Sequence, residues 1–591
     1  MKQFFKFTFA TVLGVFLAWI IFIFLLVGIA SLMSGGDDTK TIAENSVLEL
    51  DLSPQIFDKV NDDPFADFNP MKIDSEKPLE LLCVLNNIEK AKDDPKIKGI
   101  AITSGIISAG SSHLTAIRNK LKEFKDSGKF IIAYSDIYTQ KGYWLSSVAD
   151  TVFLNPVGSL QFKGLAAEIT FFKKFQDKYG VKFDVIRHGK YKSAVEPFIE
   201  DKMSEANRQQ TSALIGSIWN TYLNDISESR GISIEKLNEF ADMRDAELPI
   251  DAMTKRLIDR VSYENDFYNS INHAIGEPLN SKPELVSLKD YRKVKPTVKK
   301  EFSRDKIAII YAEGNIIYSQ AEAFGSDKVV KPQQMVKAIR ELKNDKKVKG
   351  VVLRVNSGGG SALTSDLIWH ELELLKEIKP YVVSFGNVAA SGGYYIACGA
   401  DKIYAQENTI TGSIGVFGML PNLEKAAENM GITSEVVSTN KQSFDFSLIK
   451  GASPEIKQLI LRSIENTYKT FVTRVVNGRK MKFEDVDAIG QGRVWSGKDG
   501  IEIGLVDEIG GLEDAIAHVA EKAELENYRL VSYPKEEDKY KKLLESFSSE
   551  AKLYLIKEEL GDDAYKLYSD YKSYINSEGI QARIPFNITI N

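Results

Sequence analysis

Lys349-Gly350-Val351-Val352-Leu353 repeats the pattern of Lys98-Gly99-Ile100-Ala101-Ile102, 251 residues upstream. The same offset relates Tyr381-Val382-Val383-Ser384-Phe385 to Phe130-Ile131-Ile132-Ala133-Tyr134. It also relates Gly393-Tyr394-Tyr395-Ile396 to Gly142-Tyr143-Trp144-Leu145, Ala400-Asp401 to Ala149-Asp150, and Met430-Gly431-Ile432 to Tyr179-Gly180-Val181. Gly412-Ser413 and Gly158-Ser159 lie 254 apart, so a short insertion is compensated later. A period this long is not that of a solenoid; it means two copies of a whole domain.

Within each copy a short apolar run alternates with a helical pattern. In the second copy Gly350 to Val355 fits a buried strand, followed by a glycine-rich turn and a helix from Thr364 to Ile378. Next come a strand (Tyr381 to Phe385), a small-residue turn, a helix from about Ser391 to Gly399, and a strand (Lys402 to Ala405). Strands alternating with helices imply an α/β fold with parallel sheets joined by right-handed crossovers. The expected domains are 46–275 and 305–533, with 276–304 as a linker carrying Pro278, Pro283 and Pro296. Residues 534–591 read as a charged, helical C-terminal extension.

Around these copies the chain is 591 residues long, 43% hydrophobic and 27% charged, which suits a folded protein. A net charge of −6 gives no basic surplus for nucleic acid. Two cysteines, Cys83 and Cys398, exclude a disulfide framework and a cysteine zinc site. The five histidines are scattered without ligand spacing, so neither a metal nor another cofactor is expected.

From Phe7 to Gly36 there is no charge; Lys2 and Lys6 precede the run, and Asp37 and Asp38 follow it. About 20 apolar residues span a bilayer, and a signal-peptide core is usually shorter than this run. Residues 1–36 therefore read as an uncleaved transmembrane anchor. The flanking charges keep the N-terminus in the cytoplasm and export the rest, placing the ectodomain at the outer face of the cytoplasmic membrane.

The copies differ where chemistry would sit. The second has Asn356-Ser357-Gly358-Gly359-Gly360-Ser361, whose glycines allow close backbone approach and outward-pointing amides. A phosphate loop would need Gly-Lys-Ser/Thr, which is absent. The next turn, Ala389-Ala390-Ser391-Gly392-Gly393, presents a serine between small residues at a strand-to-helix junction, where it is expected to be exposed. A serine there ordinarily caps a helix. The first copy has Gln140 at that position. Conversely Lys192, in Tyr191-Lys192-Ser193-Ala194-Val195-Glu196-Pro197-Phe198, maps onto Ser443. Gln140 to Lys192 and Ser391 to Ser443 both span 52 residues. The surviving serine–lysine pair thus lies across the two copies.

These segments, with Thr411-Gly412-Ser413-Ile414-Gly415, Gly492-Arg493-Val494-Trp495-Ser496-Gly497 and Gly504-Leu505-Val506-Asp507, resemble the signal peptide peptidase A family in its long, two-repeat, membrane-anchored form. One departure is Gly358, where the family carries proline. The resemblance implies tandem crotonase-like (caseinolytic-protease-like) spiral domains. It implies a serine endopeptidase with Ser391 as nucleophile, Lys192 as general base, Ser413 orienting the lysine, and the Gly359 and Gly392 amides as oxyanion hole. It further implies cleaved signal peptides as substrates and a homotetramer. A lysine base must be neutral, and at a reference pKa of about 10.4 it is not at pH 7. Lys192 is therefore expected in a dry pocket beside Ser391, with Glu196 pointing elsewhere. A catalytically silent membrane scaffold and an acyl-CoA enzyme of the crotonase type are the competing readings.

Overall fold

The computed structural model describes residues 2–33, 40–60, 77–297, 302–319, 328–535 and 580–583. Its centre is two sheets of the same topology. In the first, the strands run in spatial order Arg260–Val261, Thr151–Leu160, Phe130–Tyr138, Ile97–Ile102, Ser46–Leu50 and Leu285–Ser287, all parallel. In the second, Glu508–Ile509, Lys402–Ala405, Tyr381–Ala390, Val348–Ser357, Lys306–Glu313 and Arg529–Tyr533 follow the same order, also parallel. The central strands are apolar on both faces because helices cover both faces of a parallel sheet. Ile100, Ala101, Ile102, Val351, Val352 and Leu353 are all buried. Gly99 and Gly350 hold equivalent places for a packing reason. A Cβ on Gly99 would stand 2.3 Å from the Phe130 ring, and one on Gly350 2.3 Å from Val519.

Several expected elements extend or move. The strand read as Tyr381 to Phe385 runs on to Ala390, and the helix after Ser391 is Gly392–Ala397. Part of the expected linker belongs to the first sheet. Leu285–Ser287 pairs with Val47 to Glu49, and the helix Leu288–Tyr291 buries Leu288 and Tyr291. The prolines flanking that segment misdirected the reading; its own apolar residues decide its place. Of the expected C-terminal helical extension, residues 536–579 and 584–591 lie outside the described residues. Gln581–Arg583 is a strand, not a helix.

A further sheet joins the copies. Lys182–Arg187 of the first pairs antiparallel with Phe417–Asn422 of the second, in register from Arg187↔Phe417 to Asn422↔Lys182. Gln581–Arg583 lies in the same sheet, antiparallel to Gly359–Ser361 and bridged to Phe417. At the N-terminus Lys2–Met33 is one helix. Among the described residues no helix is long and apolar enough to cross a membrane. Asp37 and Asp38, read as the outer flank of the anchor, lie outside the described residues.

Candidate active site

The strand Tyr381–Ala390 delivers Ser391 to its end, beside the Ile410–Gly412 strand. Ser391 takes φ 55° and ψ −117°, a left-handed backbone costing about 1–3 kcal/mol for a residue with a Cβ. Its amide donates to the Gly412 carbonyl (2.8 Å), and its carbonyl accepts from Tyr395 to start the helix Gly392–Ala397 (2.8 Å). The side chain does not cap that helix. Nor is it exposed, as the turn alone suggested: Ser391 is fully buried, because the first copy closes over it.

That cover is Lys192. The cross-copy pairing ends at Arg187, and the chain then runs against the second copy. His188 donates to Val416 O (3.3 Å) and Tyr191 to Gln491 O (3.1 Å). Gln210 clamps the segment from behind, donating to Tyr191 O (3.1 Å) and Ser193 Oγ (2.7 Å), while its Oε1 accepts from Val494 N (3.3 Å). Gly492, at φ 86°, is the wall behind the lysine. A Cβ there would stand 2.6 Å from Lys192 Cα.

Lys192 is fully buried. Its Nζ lies 2.7 Å from Ser391 Oγ, 3.0 Å from Ser413 Oγ and 3.2 Å from Ser413 O. Ser413 also has positive φ (50°), held by its amide on Arg493 O (2.6 Å). Burial pushes the Lys192 ammonium well below the usual lysine range. Among the described residues no carboxylate bonds it. Glu196, four residues on, turns to Ser204 Oγ (2.6 Å), Asn207 Nδ2 (3.0 Å) and, more distantly, Arg187 (3.7 Å).

The Gly359 amide already donates to Ser357 Oγ at 3.1 Å, so the expected pair of open amides is half engaged. Gly359 and Gly392 nevertheless stand together. A Cβ on Gly359 would meet Gly392 N at 2.6 Å and the Ala582 carbonyl oxygen at 2.1 Å; one on Gly392 would meet that oxygen at 3.0 Å. Beside this tail strand is a cavity of about 480 Å³ lined in part by Leu363, Tyr395, Thr467 and Ile580.

The counterpart of each residue in the opposite copy is chemically quiet. Gln140 spends its amide on the backbone of a neighbouring loop in its own copy, accepting from Lys163 N and Gly164 N and donating to Gly164 O (each 3.0 Å). Ser443, the counterpart of Lys192, is exposed. Gly492, Gln210 and Ser357 were not singled out as site residues. Gly492 sits in a quoted motif, and only its nearness to Lys192 gives it meaning. Among the described residues no cluster of metal-binding side chains occurs.

The family model for peptidase family S49 matches the chain twice, at residues 123–276 and 373–526. The chain is 35% identical over 512 residues to Protease 4 of Haemophilus influenzae, covering 84% of this chain and 82% of that protein. It is 32% identical to the chloroplastic serine protease SPPA of Arabidopsis thaliana, covering 82% of this chain and 70% of that one. It is 33% identical to a putative signal peptide peptidase SppA of Enterococcus faecium, over 40% of this chain and 69% of that one. A solved ClpP1 variant from Listeria monocytogenes aligns with 35% of this chain and 94% of its own at 14% identity and a TM-score of 0.24, too slight a likeness to argue from. With a family match in each repeat and a relative aligned along most of both lengths, this chain belongs to peptidase family S49 and is a serine-type protease.

Proposed function

We propose that the chain is a membrane-anchored endopeptidase that degrades cleaved signal peptides and similar apolar peptides through a Ser391/Lys192 dyad. The observation that carries this is the buried, carboxylate-free 2.7 Å contact between Lys192 Nζ and Ser391 Oγ. Neutral Lys192 takes the Ser391 proton as Oγ attacks the scissile carbonyl carbon. The Gly392 amide receives the oxyanion, joined by the Gly359 amide once the Ser357 hydroxyl rotates away. The protonated lysine then gives its proton to the leaving amine, and an ester to Ser391 remains. Lys192 next deprotonates a water, which attacks the ester; the proton returns to Ser391 as the acid product leaves. Ser413 holds Nζ in line throughout.

An extended peptide suits the slot that Gln581–Arg583 fills, since that slot offers backbone partners on the Gly359–Ser361 side. The adjoining cavity, with Leu363 and Tyr395 in its wall, suits an apolar side chain. The charge-free run from Phe7 to Gly36 supports the anchor, and Lys2 and Lys6 ahead of it support a site at the outer face of the cytoplasmic membrane. Assembly as a homotetramer follows from the resemblance alone.

The test is hydrolysis of an apolar signal-sequence peptide by wild type, Ser391→Ala and Lys192→Ala. Wild type is expected to cleave it, and each variant to lose at least about 1,000-fold in kcat. Equal turnover in all three would sink the dyad.

A further inference from the structure

Asp58, just after the short strand Ile56–Phe57 of the first copy, is a fully buried carboxylate that the dyad does not use. Its partners belong to both copies. Oδ1 accepts from Arg354 Nε (2.7 Å) and Oδ2 from Asn356 Nδ2 (2.8 Å). His113 Nε2 approaches Oδ2 to 3.2 Å, at ion-pair distance but without hydrogen-bond alignment. Burial alone would raise the Asp58 carboxyl, but Arg354 and His113 hold it well below the usual carboxylate range.

Arg354 and Asn356 in turn hold the strand Tyr381–Ala390. Val355 pairs with Phe385, but Ser357 pairs with Ala389, so Gly386 to Val388 bulge opposite Asn356. A bulge re-aims the residues after it, and here Ser391 follows three residues later. Arg354 Nη1 donates to Ser384 Oγ (2.8 Å) and to the Phe385 carbonyl, on the near side of the bulge. Asn356 Oδ1 accepts from Val388 N (3.2 Å), on its far side. Within the bulge, Asn387 bonds back to His113 of the first copy (3.1 and 3.2 Å). Gly386 leaves room for the carboxylate; a Cβ there would be 3.0 Å from Asp58 Oδ2. Asn356 is also three residues before Gly359.

We propose that Asp58 is a positioning residue for catalysis, reaching across the repeat junction to lock the strand that carries Ser391 and the loop that carries Gly359 into mutual register through Arg354 and Asn356. The first copy thereby supplies the clamp as well as the base. This rests on the Ser391/Lys192 reading. The competing reading is a buried ion pair that only stabilises the junction, so that its loss lowers the folded fraction but not turnover per folded molecule.

The experiment measures kcat and KM for an apolar peptide, with the folded fraction from thermal melting. It compares wild type with Ser391→Ala, Asp58→Asn, Asn356→Asp, Asn356→Ala and the exchange variant D58N/N356D. Asp58→Asn sets two amide donors face to face, and Asn356→Asp sets two carboxylates together. Each is expected to lower kcat by about 10–100-fold with KM within about threefold, since small misplacements act on the chemical step. Asn356→Ala keeps the Asp58–Arg354 ion pair, so it folds even if the others do not, and is expected to lose about tenfold in kcat. In the exchange variant Arg354 donates to an amide oxygen, the amide at 58 donates to the carboxylate at 356, and that carboxylate still accepts from Val388. Its kcat is expected to return to within about fivefold of wild type. The pH midpoint of kcat/KM, which reports Lys192, is expected to stay in place in all of them. Folded Asn356→Ala with wild-type kcat, or a folded exchange variant as slow as the single ones, overturns the proposal. Wild-type turnover that needs Ser391 but neither Asp58 nor Asn356 ends the positioning role alone. Turnover undiminished in Ser391→Ala ends the dyad and the positioning role together.

Discussion

In the proposed dyad, burial alone prepares Lys192 as a base. Among the described residues no carboxylate bonds its amine, and burial shifts the folded state toward the neutral form. Two outcomes follow. Activity rises with pH through the lowered pKa, as the amine form fills. Stability carries the opposite burden: the unfolded lysine holds its proton up to about pH 10.4, and folding must remove it. The penalty is greatest at and below the folded-state pKa and disappears above the unfolded one. Lys192→Met is therefore expected to raise the thermal midpoint at neutral pH, with a gain that shrinks as pH climbs toward about 10.4; a gain independent of pH would contradict this. Ser413→Ala removes one partner of Nζ and is expected to lower kcat about tenfold, the scale of one hydrogen bond, as steady-state kinetics can check. Gly492→Ala combines a strained φ with a 2.6 Å contact to the lysine backbone, and a larger loss of kcat is expected.

At the level of elements, the strand Lys182–Arg187 matters most. By adding to Phe417–Asn422 it carries the lysine out of its own copy and into the other. The tail strand Gln581–Arg583 uses the same sheet and sits beside Gly359 and Gly392. An added peptide must displace it to pair with Gly359–Ser361. Deletion of residues 580–591 is expected to lower KM for an apolar peptide by about threefold or more, through loss of this intramolecular competitor. An unchanged KM would mean that substrates enter elsewhere. The charged pattern of residues 534–591 predicts helix there, whereas Gln581–Arg583 is a strand. A strand borrowed by a distant sheet depends on partners that no local periodicity contains.

For the whole molecule, the decisive property is that each copy is incomplete. A folded 305–591 fragment, verified by circular dichroism, is expected to hydrolyse no peptide, because its Ser391 lacks Lys192. The duplication, the alternation of strand and helix and the two chemistry-bearing turns were all legible in the chain, since parallel sheets leave unbroken apolar runs and the repeat preserves their spacing. So was the split of the pair, with Gln140 opposite Ser391 and Ser443 opposite Lys192. The burial of Ser391 was not legible, because a strand-to-helix turn looks open until another domain closes over it. Neither was Asp58, one acid among several in its segment, whose partners Arg354 and Asn356 lie 296 and 298 positions away. Local pattern sets which residues face a sheet, but a hydrogen bond between groups so far apart in sequence exists only once both copies have folded against each other.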